Sequence, residues 1–236
     1  MYGWKKESYM IISAKNYTLF DVKQYLREFK LDSKFSNYMV DIETTGTRPD
    51  LNHIVEVAIV PFELIHTNVV ISPEEYHLKF KLNSDQKHRQ YDPSTMTWWG
   101  KQNKQIADKV FSQFFNPEIN NAQVLTQLAI FISHTTNGKA RFWSKPNSFD
   151  YMFLQSLFKD FQIVFPFSYW NALDLSGFCS GLAYLQQNTL DSKIYEPETR
   201  SLAHDSMGDC YFQLDWISNA LADKLNSKFK TPNLPF

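Results

Sequence analysis

Tyr38-Met39-Val40-Asp41-Ile42-Glu43-Thr44-Thr45-Gly46 is a short apolar run with two acids set into it. The run reads as a strand that stops at Thr44-Thr45-Gly46. Asp41 and Glu43 are two residues apart, so on a strand their carboxylates leave the same face. Two acids on one face of an otherwise apolar strand are costly unless something positive meets them. A divalent cation is the natural partner, and hard oxygen donors favour Mg²⁺ or Mn²⁺ over Zn²⁺. Asp-x-Glu alone is common by chance, and its plain alternative is a solvent-facing strand with two surface acids. Its apolar approach and its Thr-Thr-Gly ending set it apart.

Around this strand the chain divides unevenly. Residues 1–36 read as an N-terminal appendage. In it Tyr9–Ser13 is a short strand, and residues 21–30 carry Val22, Tyr25, Leu26 and Phe29 on one helical stripe. The main domain is expected over residues 37–236. Ile54–Leu64 is a second strand, with Pro61 hinting at a bulge or an edge, and Tyr76–Leu82 a third. From Ser94 the period changes to helical. Thr95–Phe111 reads as a helix broken near Gly100, and Ala122–Thr135 as another. Ala140–Trp143 is a strand, and Ser148 is the expected N-cap of the helix after it. Phe167–Asn171 is a further strand, Asp174–Leu185 a helix, and Ser206 to about Asn226 a long final helix. Three strands followed by alternating helix and strand is the element order of a ribonuclease H-like mixed α/β sheet, antiparallel at its start and parallel after, flanked by helices.

Composition sets outer limits. Hydrophobic residues make up 43% of the 236 and aromatics 16%, ample for a packed core. Lys and Arg number 24 against 25 Asp and Glu, so any field that attracts nucleic acid must be local. Cys179 and Cys210 lack paired spacing and read as reduced core thiols, which suits the cytoplasm, or the host cytoplasm if the chain is viral. No long apolar run follows Lys5 and Lys6, so no signal peptide is expected, and no stretch is apolar enough for a membrane span.

Two further segments carry acids in suggestive places. Asp150 ends Phe142-Trp143-Ser144-Lys145-Pro146-Asn147-Ser148-Phe149-Asp150, entering the first turn of a helix after a strand. Alone it reads as charge favourable to a helix N-terminus. In Ala203-His204-Asp205-Ser206-Met207-Gly208-Asp209, the five-residue step from His204 to Asp209 is about 140° of helical rotation, too far to share a face. The better placement has His204 in the loop before the helix and Asp209 on its first turns. A loop histidine there can deprotonate a water. The remaining histidines, at 53, 66, 77, 88 and 134, read as ordinary surface residues.

Asp41-x-Glu43, Asp150 and His204-x4-Asp209 together resemble the DEDDh subgroup of 3'→5' exonucleases, in the family's order and over residues 37 to about 226. Ser94-Thr95-Met96-Thr97-Trp98-Trp99-Gly100-Lys101-Gln102 and Phe142-Trp143-Ser144 look like segments of a subfamily that holds bacterial exoribonucleases and phage exonuclease A enzymes. Core packing is the plain reading of at least one of Trp98 and Trp99. The resemblance implies a two-metal phosphodiester hydrolase using Mg²⁺, with Mn²⁺ able to substitute. Asp41, Glu43 and Asp209 would hold one ion, and Asp41 would bridge to a second, roughly 4 Å away, that Asp150 serves partly through water. His204 would be the general base. Thr44, Thr45 and Gly46 would hold the terminal nucleotide, and Trp143 and Phe149 would stack or wedge the last bases. Expected partners are single-stranded DNA or RNA 3' ends, and no membrane. Self-association into a homo-oligomer stays open. Three readings follow: a 3'→5' exonuclease with a slight lean to DNA, an exoribonuclease, and a nucleic-acid-binding protein of the same fold without turnover.

Overall fold

The computed structural model describes residues 10–12, 35–66, 68–72, 77–136, 139–198 and 203–226. The strand around Asp41 is β2 (Asn37–Thr44), buried throughout except at Asp41, which is half-buried. It lies inside a seven-stranded sheet, antiparallel to β3 (Ile54–Ile65) and parallel to β6 (Arg141–Ser144). Beyond β3 come β5 (Leu78–Lys81) and, parallel to it, β1 (Met10–Ile12); beyond β6 comes β7 (Ala172–Asp174), also parallel. A short strand β4 (Asn68–Ile71) pairs with the second half of β3. The described part of the N-terminal segment thus extends the main sheet at the β5 edge. The helical stripe expected over residues 21–30 lies outside the described residues.

Burial alternates on β2 between two cores. Tyr38, Val40 and Ile42 face one that contains α3 (Asn121–Thr136) and α4 (Asn147–Asp160). Met39 faces the other, built with α5 (Leu175–Gln187) and α6 (Ser206–Asn226). By the same alternation Asp41 and Glu43 point toward α6. Strands covered on both faces lose the apolar–polar rhythm and read as continuous apolar runs. A third cluster, Val55, Trp99, Val110 and Phe114, is built with α1 (Pro93–Trp99) and α2 (Lys104–Phe111). Asp92 caps α1 by accepting from the Thr95 amide, Gly100 ends it and Asn103 caps α2, so the expected break at Gly100 is present.

Pro61 sits where β3 changes partner. Its carbonyl accepts from the Ser72 amide, on the β4 side. A residue's N–H and C=O leave a strand on the same side, so the missing N–H falls between the β5 pairing, ending at Ile59, and the β4 pairing, starting at Phe62.

Other boundaries differ from expectation. The α4 N-cap is Pro146, not Ser148, and the Asn147 amide is taken by the Asp174 carboxylate at 2.9 Å. The strand expected over Phe167–Asn171 starts later: Tyr169–Asn171 is a 3-10 turn with Trp170 78% exposed, and β7 follows it. Among the described residues no helix is long and apolar enough to cross a membrane.

Candidate active site

Asp41 and Glu43 leave β2 toward the N-terminus of α6, where Asp209 occupies the first turn. One carboxylate oxygen from each of the three lies within 4.8 Å of the others. Glu43 and Asp209 are buried and Asp41 half-buried. Burial pushes the Glu43 carboxyl well above the usual range, and the neighbouring charges of Asp209, Glu56, Asp205 and Asp150 push it further. Three close carboxylates, two of them buried, with oxygen-only donors fit a hard divalent cation.

Asp150 reaches the same region from α4. β6 pairs with β2 only as far as Met39, so the rest of that β2 edge lacks a strand neighbour there. The Ile42 amide instead donates to Asp150 Oδ1 at 3.2 Å. Burial pushes the Asp150 carboxyl up to about 8, against the pull of the Ile42 amide.

His204 lies in the loop before α6, as its spacing from Asp209 predicts. Its φ of 66° is left-handed, and its amide donates to Asp209 Oδ2 at 3.1 Å. Its ring stands edge-on to Trp98, with centroids 4.6 Å apart. Trp99 is buried and its indole donates to the Thr44 carbonyl at 2.9 Å, whereas Trp98 is 39% exposed. A cavity of about 350 Å³ opens beside Glu43, lined by Thr44, Gly46, Trp98, Trp99 and Phe149 among others.

Of the residues expected to contact substrate, Thr44, Gly46 and Phe149 line this cavity, and Thr45 and Trp143 lie outside its lining. Thr45 is fully buried: its amide donates to the His53 carbonyl and its hydroxyl accepts from the His53 amide, both at 3.0 Å. Its backbone N–H is spent on the fold. Trp143 faces the α5–α6 core, against Phe62 and Phe178, with its indole donating to Asn37 Oδ1 at 2.9 Å. It lies on the same sheet face as Asp41 and Glu43, paired with Met39, but does not line the cavity. Gly46 has a packing reason as well: a Cβ there would come within 2.2 Å of the Asn52 side chain, which ties Arg48 to Gln90. His53 and His77, expected on the surface, are both buried; His77 bridges the Ser72 carbonyl and the Tyr211 hydroxyl.

Sequence reasoning missed two groups. Gln213 is one turn beyond Asp209 on α6, and its amide donates to Asp41 Oδ1 at 2.8 Å. The i,i+4 spacing from Asp209 was a usable signal. Beside the acids lies a buried set of charges, Glu56, Lys79, Lys81 and Asp205. Burial alone would raise Asp205, but Lys79 and Lys109 override it and hold the carboxyl at about 2. The alternation of Leu78-Lys79-Phe80-Lys81 reads as a strand with one wet face, so nothing local betrays these lysines as buried.

The domain family described as 3'-5' exoribonuclease Rv2179c-like matches residues 36–221. The exodeoxyribonuclease of Enterobacteria phage T4 is 22% identical over 193 residues, covering 74% of this chain and 84% of the phage protein. Exonuclease I of E. coli with a dA16 oligonucleotide superimposes with a TM-score of 0.58 at 16% identity, over 80% of this chain and 41% of that one. Its zinc-ion-bound, single-stranded-DNA complex gives 0.57 at 17% identity, over 80% and 42%. The chain thus spans about two-fifths of exonuclease I, and that likeness establishes the fold.

Proposed function

This chain belongs to the Rv2179c-like 3'-5' exoribonuclease domain family, and on that premise we propose that it hydrolyses single-stranded nucleic acid, DNA in the first place, stepwise from the 3' end, releasing 5'-mononucleotides. The observation that carries the reading is the convergence of Asp41, Glu43 and Asp209 within 4.8 Å, next to a cavity bordered by Trp98, with His204 against that indole. The phage exodeoxyribonuclease, matched over most of its length, supports DNA. The description of the family supports RNA as the second reading. Intact acids and an intact histidine weigh against a binding protein without turnover. The unpaired buried thiols of Cys179 and Cys210 support a cytoplasmic setting.

Asp41, Glu43 and Asp209 would hold the metal, Mg²⁺ by preference with Mn²⁺ as substitute, and Asp150 would serve a second ion from the β2 edge. The ions supply charge stabilisation to the phosphoryl group and to the oxygens entering and leaving it. The chain supplies the rest. His204 takes the proton of the attacking water, whose oxygen bonds to phosphorus as the bond to the 3'-oxygen of the preceding nucleotide breaks. Thr44, Gly46 and Phe149, with Trp98, enclose the terminal nucleotide and fix its phosphate for that attack.

The test is incubation with DNA and RNA oligonucleotides labelled at either end, with Mg²⁺, Mn²⁺ or a chelator. Labelled mononucleotide should leave first from the 3'-labelled DNA, and chelator should stop it. Internal cuts in circular single strands would sink the reading, and faster loss from RNA would move it to the exoribonuclease.

A further inference from the structure

The charges buried beside the acids have a direction. On β5, Leu78 and Phe80 pack into the α3–α4 core, which turns Lys79 and Lys81 to the other face, under α2 and the start of α6. Lys79 is 1% exposed. Its Nζ lies 2.8 Å from Asp205 Oδ1 and 2.7 Å from Glu56 Oε1. Glu56 accepts from the Ser206 hydroxyl at 2.5 Å, and Lys81 completes its ion pairing. Asp205 also meets Lys109 at 3.1 Å, accepts the Gly208 amide at 3.3 Å and, through its carbonyl, the Asp209 amide at 2.9 Å. One ammonium on the sheet therefore ties down the two residues that follow His204 and open α6. Glu56 pairs across the sheet with Glu43, on the same face, so the network sits directly beside the acids that would hold metal.

Stability does not explain such a network. Apolar side chains of equal volume commonly stabilise as well as a buried ion set, because desolvating the charges offsets their attraction. A hydrogen-bonded set of charges does fix the direction in which its partners meet, and so rigidifies the segments it joins. His204 needs that. Its left-handed backbone is unfavourable for a residue with a Cβ, and such conformations persist where surrounding contacts over-determine them.

We propose that Lys79 is a positioning residue of the exonuclease reaction: through Asp205 directly, and Ser206 by way of Glu56, it fixes the His204 loop and the first turn that carries Asp209. This rests on the reading of His204 as the base. The ion-pair partners of Lys79, Glu56 and Asp205, are not the acids that would hold metal, and its effect is on the aim of His204.

The test pairs Lys79→Met, which keeps the chain length and removes the charge, with Asp205→Asn, which keeps a cap for Gly208. Two readouts are taken on folded protein: single-turnover cleavage of a 3'-labelled oligonucleotide at saturation, and the NMR signal of the His204 ring, assigned by its loss in His204→Ala. That signal carries the ring-current shift of Trp98 and needs no turnover. Positioning predicts a fall in rate of about 10–100-fold, the range for groups that orient ligands and bases at metal sites. KM should be nearly unchanged, and the His204 resonance should move toward its solvent-exposed position. A purely structural network would lower Tm but leave the rate per folded molecule and the His204 signal as in wild type, and that result overturns the proposal. If wild type cleaves no 3' end, the functional reading fails by itself, while the His204 resonance still decides whether Lys79 sets the loop. If Lys79→Met does not fold, Asp205→Asn decides by the same two readouts.

Discussion

Asp41 answers to more than one partner. It must present oxygen to a cation, and it already accepts from Gln213 at 2.8 Å. That bond helps to hold the carboxylate in place beside Glu43 and Asp209. Gln213→Leu keeps the volume and deletes the donor. We expect turnover to fall about 10-fold or more, with oligonucleotide affinity kept, because loss of an orienting partner typically costs 10–100-fold at a metal site. A Mn²⁺ titration followed by electron paramagnetic resonance should show weaker metal binding, and unchanged rate and metal affinity would make Gln213 incidental. His204 and Asp209 separate in the opposite way. His204→Ala should lower turnover by about 10²–10⁴-fold, the range of general-base catalysis, and leave metal and oligonucleotide binding near wild type. Asp209→Ala should remove metal binding as well, and with it several kcal/mol of charge stabilisation in the transition state. Equal binding losses in the two variants would show that His204 holds substrate instead.

At the scale of elements, what was legible depended on how local the cause was. β2 and the split between α1 and α2 follow from residues beside them: an apolar run ended by Thr44-Thr45-Gly46, and a glycine between two helices with side-chain caps. His204 before α6 and Asp209 within it follow from the helical period alone. β4 escaped notice because Asn68–Ile71 is half in solvent and is a strand only through its pairing with β3. Lys79 and Lys81 looked wet, since the helices that cover β5 lie far along the chain. Trp143 was placed in the cleft from its neighbours in sequence, but the alternation of β6 sends it to the core. The Trp98-Trp99 pair shows both outcomes on one helix. Trp99→Phe strands the buried Thr44 carbonyl and should cost about 1–3 kcal/mol in urea unfolding. Trp98→Ala, at 39% exposure, should cost much less stability and more turnover, because the cavity wall and the edge of His204 are lost. Reversed effects would exchange the structural and functional roles assigned to them.

Taken as a whole molecule, the chain spends stability on the acids it gathers, and pH reads this out. Burial raises the carboxyls of Glu43 and Asp150, the latter from 3.8 to about 8. Both groups hold protons more tightly folded than unfolded. Their contribution is therefore fully present below about pH 4 and is lost as pH rises through the raised values. Asp205 runs the other way: burial would raise it, yet Lys79 and Lys109 hold it at about 2, so its contribution is present above about pH 4 and lost only as pH falls toward 2. Between about pH 5 and about pH 8 the first pair loses its contribution, while buried His53, whose imidazole burial lowers, works against it below about pH 6.5, so metal-free protein should lose stability chiefly toward the alkaline end. A loss of even 1 kcal/mol lowers Tm by about 2–4 °C in a chain of this size. Divalent metal held at this proposed site would bind the ionised acids and only in the folded state, so it should stabilise most at the alkaline end, where the metal-free protein is weakest. Thermal unfolding in chelator and in excess Mg²⁺, at both ends of the window, should give curves that diverge with rising pH. Asp150→Asn removes the group pushed up to about 8 and should flatten the chelator curve. A metal-free Tm that stays level or rises from pH 5 to 8 would mean that Glu43 and Asp150 are already ionised in the folded state, and that the cation meets acids held apart by solvent instead of acids waiting under strain.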